Sequence, residues 1–212
     1  MARKPKGQAR LEGAYQLATP ADNIDYYREF AKTYDTEFAE GLGYTYPSRV
    51  ASAFLSLATA TDQPIADIGC GTGLVGAALN GATVDGMDIS PEMLAKAARR
   101  RCYRTLYEVD LTAEELPLPK EYGGVISAGT FTHGHLGPDV LMGLLDLVQD
   151  GGLFVVGINA QHFKAHGFSA CLDGLVADGR ITTPDMQDVP IYEKDGHDHA
   201  ADRALVVTFR KT

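Results

Sequence analysis

A glycine-rich loop is the first feature of the sequence that could do chemistry. Gly69, Gly71 and Gly73 occupy alternate positions directly after the short apolar run Ile65–Ile68. Glycines let a backbone turn sharply and approach a ligand closely, and three at alternate positions exceed what a plain strand-to-helix turn needs. The spacing Gly71-x-Gly73-x-x-Gly76 also satisfies the dinucleotide fingerprint, which is weak on its own. The loop therefore predicts that a nucleotide-type ligand binds here, but its spacing does not identify which one.

Three aspartates narrow the choice of ligand. Asp88 ends the second predicted strand, where a carboxylate can accept both hydroxyls of a ribose. Asp67 lies two residues before the first loop glycine, where it would oppose a pyrophosphate and favour an ammonium group. Asp110 ends the third predicted strand, placed to accept from an exocyclic amine while Leu111 covers a ring face. An adenosine with a positively charged amino-acid tail fits all three, and S-adenosylmethionine is such a molecule.

Two histidines follow the fourth predicted strand, where a methyl acceptor would be held beside the switch point of the sheet. His133 and His135 are candidates for a general base or a substrate contact. The alternative is that they are loop histidines that cap the next helix or face solvent. His162 and His166 have helical spacing but lack the glutamate of a zinc-protease motif. The sequence therefore predicts no metal site.

Missing motifs exclude several kinds of acceptor chemistry. The region after the fourth strand lacks an Asn-Pro-Pro-Tyr motif, which argues against methylation of base amines. It also lacks a Pro-Cys nucleophile for cytosine-carbon methylation and a cluster of acids that would hold magnesium. We therefore expect a small-molecule acceptor.

Alternating strand and helix patterns supply the elements that must position these residues. The predicted strands are short runs rich in β-branched residues: Ile65–Ile68, Ala82–Asp88, Thr105–Val109, Val125–Ala128 and Leu153–Val156. Ser90-Pro91-Glu92 opens a helix that ends near Arg99–Arg101. Gly137–Asp139 opens another, with Val140 to Val148 on its apolar face and Asp150–Gly152 as its stop. Such alternation predicts an α/β fold with a doubly wound, mostly parallel, Rossmann-like sheet.

The two ends of the chain depart from this alternation. Val189–Lys194 and Leu205–Phe209 predict an antiparallel hairpin at one edge of the sheet. Asp22–Glu40 and Pro47–Leu57 predict two amphipathic helices that form an N-terminal cap. We expect a flexible tail over residues 1–19 and a single domain over 20–212, divided into the cap at 20–60 and the cofactor-binding core at 64–212.

Composition limits the class of protein. The chain has 212 residues, with 19 Lys plus Arg against 28 Asp plus Glu and a net charge of -9. This acidic balance argues against binding nucleic acid through its phosphates. Three scattered cysteines favour a reducing compartment, and we find neither a signal peptide nor an apolar run of about 20 residues. We expect a cytoplasmic location and no membrane span, and the sequence predicts no oligomeric state.

The ordered motifs Asp67–Gly73, Gly86–Leu94 and Asp110–Leu111 resemble those of class I S-adenosylmethionine-dependent methyltransferases, over about residues 20–212. The stretch Val125–His135 is similar to the small methyltransferase-like proteins of the Williams–Beuren region type. The resemblance implies a seven-stranded sheet with a reversed terminal hairpin. It also implies that the loop glycines pass the methionine part of the cofactor, Asp88 holds the ribose, and Asp110 with Leu111 frames the adenine.

The resemblance completes the predicted cofactor site with a few more residues. Tyr34, beside Asp35, matches a position at which related enzymes close a tyrosine over the cofactor. Ile89, Ala128 and Cys70 belong to the predicted site as neighbours of its motifs, although Cys70 is expected to be a small packing residue and not a nucleophile. Two other functions stay open: an NAD(P)-dependent oxidoreductase, and a non-catalytic protein that binds S-adenosylmethionine.

Overall fold

The computed structural model describes residues 19–212 together with Gly13, Ala14 and Leu17. The strands form one seven-stranded sheet. Their bounds are β1 Ile65–Ile68, β2 Val84–Asp88, β3 Thr105–Glu108, β4 Tyr122–Phe131, β5 Val148–Asn159, β6 Asp185–Pro190 and β7 Arg203–Arg210. The order across the sheet is β3-β2-β1-β4-β5-β7-β6.

The pairing confirms the predicted fold class. Strands β1 to β5 run parallel to one another, while β7 is antiparallel to both β5 and β6. The chain moves outward from β1 through β2 to β3 and then crosses back to β4, on the other side of β1. This reversal creates a switch point at the carboxyl ends of β1 and β4, where open α/β sheets bind ligands.

Helices cover both faces of the sheet. Their bounds are α1 Pro20–Phe30, α2 Tyr46–Leu57, α3 Leu74–Ala78, α4 Pro91–Arg100, α5 Val140–Leu145, α6 Ala160–Ala165 and α7 Phe168–Ala177. A π-helix at Tyr34–Glu40 and a 3-10 turn at Ala60–Asp62 complete the set. The predicted start of α4 is confirmed, because the Ser90 side chain accepts from the Met93 backbone N–H at 3.3 Å. Arg101, with φ 55°, ends that helix.

The strands bury their two faces in different apolar clusters. Successive side chains of a strand point to opposite faces, so Val125 and Phe154 pack with the helices that follow β4 and β5. Ile126 and Val155 pack instead with the N-terminal cap. The cap is therefore a second covering layer of the sheet.

The structure corrects three predicted boundaries. The helix predicted to reach Val148 ends at Leu145, because Val148 pairs with Tyr122 and begins β5. The first hairpin strand is Asp185–Pro190 instead of Val189–Lys194. The predicted helix Asp22–Glu40 is interrupted after Phe30 and continues as the π-helix.

Most of the predicted tail, residues 1–19, lies outside the described residues. Ala14 is buried, and the Leu17 backbone lies against Gly134, so at these described positions the chain packs on the molecule. No helix among the described residues is long and apolar enough to cross a membrane.

Candidate functional site

A cleft at the carboxyl ends of β1 to β4 collects most of the predicted site residues. It holds about 980 Å³ of empty space, counted out to its open mouth. The predicted residues among its walls are Tyr34, Gly69, Gly71, Asp88, Ile89, Asp110, Leu111, Ala128 and His135. The elements that the sequence motifs placed at one edge of the sheet therefore meet in one cavity.

A bulge in β4 builds one wall of the cleft. Ser127 pairs with Val156 and Phe131 with Ile158, so β4 holds two more residues than β5 between these pairs. Bulges bend a strand and redirect its side chains. Here the bulge places Ala128, Gly129 and Thr130 along the cleft.

The glycine loop is fixed against this bulge. The Thr130 hydroxyl lies 3.2 Å from the carbonyl oxygens of Ile68 and Gly69, which accept its hydrogen bond. Gly69 has φ +66°, and a Cβ there would lie 2.0 Å from the Thr130 hydroxyl oxygen. Gly71 has φ +53° and open space where its Cβ would be. Only glycine fits the first position without a clash, and the second leaves backbone open to a ligand.

Asp88 connects the glycine loop to the start of α4. Its carboxylate accepts the backbone N–H of Gly71 at 2.8 Å and that of Ser90 at 2.9 Å. Burial raises the pKa of Asp88, opposed by the N–H groups of Ser90, Gly71 and Ile89. A carboxylate offers about four lone-pair sites, so acceptor capacity is left for hydroxyl groups of a ligand.

Asp110 stands at the far end of the cleft. Its Oδ1 accepts the backbone N–H of Thr112 at 2.9 Å and the Thr112 hydroxyl at 2.6 Å. These bonds fix the carboxylate beside Leu111, whose buried side chain is part of the same wall. An acceptor next to an apolar surface suits a flat heterocycle with an exocyclic amine.

The charges of the cleft favour a cation over a phosphate. Asp88 and Asp110 are among its described walls, and those walls include no lysine and no arginine. Asn23 adds a neutral acceptor. Its side-chain nitrogen donates to the carbonyls of Thr19 and Gly134, while its buried Oδ1 has no hydrogen-bond partner among the described residues. A buried acceptor without a donor is costly, so a ligand with an N–H or O–H group fits here.

Asp67 lies behind the glycine loop instead of in the cleft. Its side chain is fully buried on the face of β1 opposite to that of Ile68, and it accepts a hydrogen bond from the Tyr103 hydroxyl at 2.7 Å. Burial, with help from the Asp88 carboxylate, raises the pKa of Asp67 from 3.8 to about 7, against the lowering effect of Tyr103 and the Gly76 N–H. Asp67 is therefore not among the described walls of the cleft, and its part in binding an ammonium group stays a prediction.

Cys70 and Gly73 also face away from the cleft. Cys70 is buried in a small cluster with Leu94 and Ala97, and burial raises the pKa of its thiol well above 9.0. Gly73 begins α3, and a Cβ there would meet Tyr103 at 3.0 Å. Both residues shape the loop from behind, and neither is among the walls of the cleft.

His135 and Tyr27 form a hydrogen-bonded pair at the wall of the cleft. His135 Nδ1 lies 2.9 Å from the His133 carbonyl oxygen, and His135 Nε2 lies 2.9 Å from the Tyr27 hydroxyl oxygen. A carbonyl only accepts, so Nδ1 carries the proton and Nε2 accepts from Tyr27. Burial lowers the pKa of His135 below 6.5, opposed by the bond to His133. His135 is thus a neutral base, and the Tyr27 hydroxyl is hydrogen-bonded to its Nε2.

His133, the other predicted catalytic histidine, is outside the cleft. Its ring lies 5.5 Å from that of His162, which in turn lies 4.3 Å from the ring of His166. Burial and His166 lower the pKa of His133, opposed by Asp202. The described residues contain no group of three ligands that could hold a metal ion.

A three-residue latch connects the cap to the glycine loop. Asp35 in the π-helix accepts the Thr72 hydroxyl at 2.6 Å and pairs with Arg100 at 2.8 Å. Arg100 also donates to the Thr72 carbonyl at 2.7 Å. The latch holds Tyr34, one residue before Asp35, at the edge of the cleft.

A second cavity, which we call the aromatic cavity, adjoins the cleft. Tyr27, Tyr34, Gly129 and His135 border both this smaller cavity and the cleft. Aromatic rings of the cap, of β4 and of the hairpin region form most of its other walls: Phe30, Phe38, Tyr44, Tyr46, Phe131 and Tyr192.

Sequence reasoning missed several walls of the cleft. These are Thr19, Asn23, Tyr27, Met93, Val109, Thr112, Gly129, Thr130, Gly134 and Leu136. Tyr27 belongs to the helical aromatic pattern of the cap, but spacing alone does not separate it from core residues such as Phe30. Thr130 and Gly134 flank the predicted histidines, so the signal for them was proximity in sequence.

Comparisons with known proteins agree with this geometry. A family model described as a methyltransferase domain matches residues 65–152. Human Methyltransferase-like protein 27 is 29% identical over 155 residues, which span 70% of this chain and 62% of that protein. The chain thus covers less than two thirds of that curated relative, and the expected similarity to small methyltransferase-like proteins is confirmed.

Solved structures share the fold. A TehB-like S-adenosylmethionine-dependent methyltransferase from Corynebacterium glutamicum has 19% identity and a TM-score of 0.57, covering 92% of this chain and 100% of that one. Magnesium protoporphyrin IX methyltransferase from Synechocystis, with S-adenosylmethionine bound, has 16% identity and a TM-score of 0.56, covering 97% and 91%. At such identities the likeness extends to the fold. The methyltransferase-domain match and the shared fold make this chain similar to class I S-adenosylmethionine-dependent methyltransferases.

Proposed function

We propose that this protein transfers the methyl group of S-adenosylmethionine to a small molecule. The observation that carries the proposal is the glycine loop fastened to Asp88 at the switch point, in a cleft whose described walls contain two carboxylates and no lysine or arginine. A cationic adenosyl ligand matches this charge. The open Gly71 backbone and the buried Oδ1 of Asn23 fit such a ligand as well.

Most of the predicted cofactor residues could then contact the cofactor in the cleft. Asp88 would hold the ribose hydroxyls, and Asp110 with Leu111 would frame the adenine. Gly69 and Gly71 would border the methionine part, with Tyr34 closing over it. Asp67, Cys70 and Gly73 would act indirectly, because their side-chain positions lie behind the loop.

The protein's own contribution to the reaction is mainly placement. Bound S-adenosylmethionine supplies an electrophilic methyl group, and holding an acceptor in line with it can provide about 7 to 11 kcal/mol. The cap and the β4 bulge each contribute walls to the cleft. His135 can take a proton at Nε2 from an acceptor that must lose one.

Binding and turnover test the proposal separately. Isothermal titration with S-adenosylmethionine and S-adenosylhomocysteine should show one site for each, and Asp88→Ala should weaken both at least tenfold. Glu92→Gln, a change on α4 outside the described walls of the cleft, is the matched control. A screen of phenols, amines, thiols and carboxylates with methyl-labelled cofactor should then find a methylated product; no heat for either ligand below millimolar concentration would overturn the proposal.

An NAD(P)-dependent oxidoreductase is the second candidate. The glycine fingerprint favours it, but the described walls of the cleft offer a pyrophosphate two carboxylates and no basic side chain. A titration with NAD that matched S-adenosylhomocysteine in affinity would reverse this preference.

Two further statements stay predictions. A single domain over 20–212, with the cap at 20–60, agrees with the packing of cap and sheet in one apolar cluster. A cytoplasmic location rests on cysteine usage alone.

A further inference from the structure

The aromatic cavity beside the cleft is suited to one chemical class of acceptor. This inference rests on the proposed function, because it concerns the molecule that would receive the methyl group. Tyr27 and His135 border both the cleft and the aromatic cavity. A group held in the aromatic cavity would therefore meet the cleft where these two side chains share a hydrogen bond.

The walls of the aromatic cavity are uncharged. Among its described lining residues there is no Asp, Glu, Lys or Arg. Taking a single charge out of water is unfavourable unless a partner of opposite charge offsets it. The attraction between an aromatic ring and a desolvated cation offsets only part of this cost. A neutral acceptor is consequently favoured over an ammonium or a carboxylate.

The rings of this cavity favour a flat acceptor. The centroid of Phe38 lies 5.0 Å from that of Tyr44 and 6.2 Å from that of Tyr192, and Tyr44 lies 5.7 Å from Tyr192. These are the separations at which aromatic rings attract one another in tilted and edge-on arrangements. An aromatic ring of the acceptor can continue the same packing.

The Thr132 hydroxyl, which lines this cavity, can hydrogen-bond to a ligand. The Thr132 hydroxyl is buried and has no hydrogen bond among the described residues. Leaving a buried hydroxyl without a hydrogen bond is unfavourable. A polar substituent on the acceptor ring would relieve that cost.

The hydrogen-bonded pair Tyr27–His135, at the boundary between the two cavities, favours one kind of reacting group on the acceptor. His135 Nε2 is an acceptor because its Nδ1 donates to the His133 carbonyl oxygen. A base at this point is useful only for an acceptor that must lose a proton as it attacks, and a hydroxyl is such a group. We propose that the acceptor is an uncharged aromatic molecule that carries a hydroxyl group, and that Tyr27 and His135 remove the hydroxyl proton.

The acceptor oxygen forms its new bond to the methyl carbon as the carbon–sulfur bond breaks, and the electron pair of that bond stays on sulfur. The hydroxyl proton reaches His135 Nε2, either directly or through the Tyr27 hydroxyl. His135 then carries one positive charge, and it releases the proton to solvent before the next turnover.

Binding of two probes of similar size tests the acceptor class without turnover. Isothermal titration of the full chain, saturated with S-adenosylhomocysteine, should show 4-methylphenol binding at least tenfold more tightly than benzylamine at pH 7. Equal or tighter binding of benzylamine would overturn the inference while leaving the proposed function intact. Failure of S-adenosylhomocysteine itself to bind would overturn the proposed function, and the inference with it.

Variants test the assigned base. His135→Gln should keep 4-methylphenol affinity within threefold and lower its methylation rate at least 100-fold, with the rate no longer following the titration of an imidazole. Tyr27→Phe should lower the rate at least tenfold. Tyr26→Phe, on the same helix but outside the described walls of both cavities, is the control. Unchanged methylation by His135→Gln would overturn its role, and circular dichroism establishes that each variant is folded.

Discussion

Replacing Asp67 by asparagine removes a buried charge and keeps the shape of the side chain. The carboxylate is fully buried and accepts the Tyr103 hydroxyl. Burial raises its pKa from 3.8 to about 7 in the folded protein. In the unfolded chain an aspartate titrates at about 3.9. The folded protein therefore binds this proton more tightly than the unfolded chain does.

The sign of the pH effect follows from this difference. Asp67 contributes its full stability below about pH 4, where both states are protonated, and loses it as the pH rises to about 7. A rise in pKa from 3.8 to about 7 corresponds to about 4 kcal/mol, at roughly 1.4 kcal/mol for each pH unit. Asp67→Asn cannot ionise, so its free energy of unfolding relative to wild type should increase by that amount between pH 4 and pH 8.

Urea unfolding at intervals between pH 4 and pH 8 measures this difference. Far-UV circular dichroism is the suitable signal, because the chain has no tryptophan. Asp195→Asn, at an exposed loop position, is the control, and its difference from wild type should stay small. A difference for Asp67→Asn that changes by less than about 1 kcal/mol over this range would refute the reasoning.

Three further changes test the cleft. Gly71→Ala puts a methyl group into open cleft space at φ +53°, so titration should show at least tenfold weaker S-adenosylhomocysteine binding, with about 1–2 kcal/mol lost in urea unfolding. Asp35→Ala breaks the latch to Thr72 and Arg100, and stopped-flow displacement should show severalfold faster release of S-adenosylmethionine than in Asp25→Ala, at an exposed helix position. Asp110→Ala should weaken S-adenosylhomocysteine binding about 10- to 100-fold and have no effect on an analogue that lacks the adenine amine; equal losses for both ligands would contradict the adenine assignment.

The order of elements could be predicted because each carries a local signal. The five parallel strands are short apolar runs, and α4 has a serine cap, a first-turn proline and a terminal arginine cluster. The end of α5 could not be predicted, because Val148 suits a helix face and a strand equally. Its pairing with Tyr122, a contact distant in sequence, decides for the strand.

In the functional site, too, local sequence predicts some features, while others depend on contacts between residues that are distant in sequence. The positions of Asp88 and Gly71 in the cleft could be predicted because they follow from the end of a strand and from a loop. The direction of Asp67 was not found, because alternation along β1 turns it to the face opposite Ile68, towards Tyr103. The Tyr27–His135 pair joins residues 108 positions apart, and sequence spacing carries no signal for such a bond.

A crystal structure of the protein soaked with S-adenosylhomocysteine tests the central claim most directly. We expect the ribose hydroxyls at hydrogen-bond distance from Asp88, the adenine against Leu111, and the sulfur facing the side of the cleft shared by Tyr27 and His135. A ligand whose adenine lies away from Leu111, or no ligand density in the cleft at saturating concentration, would contradict the account.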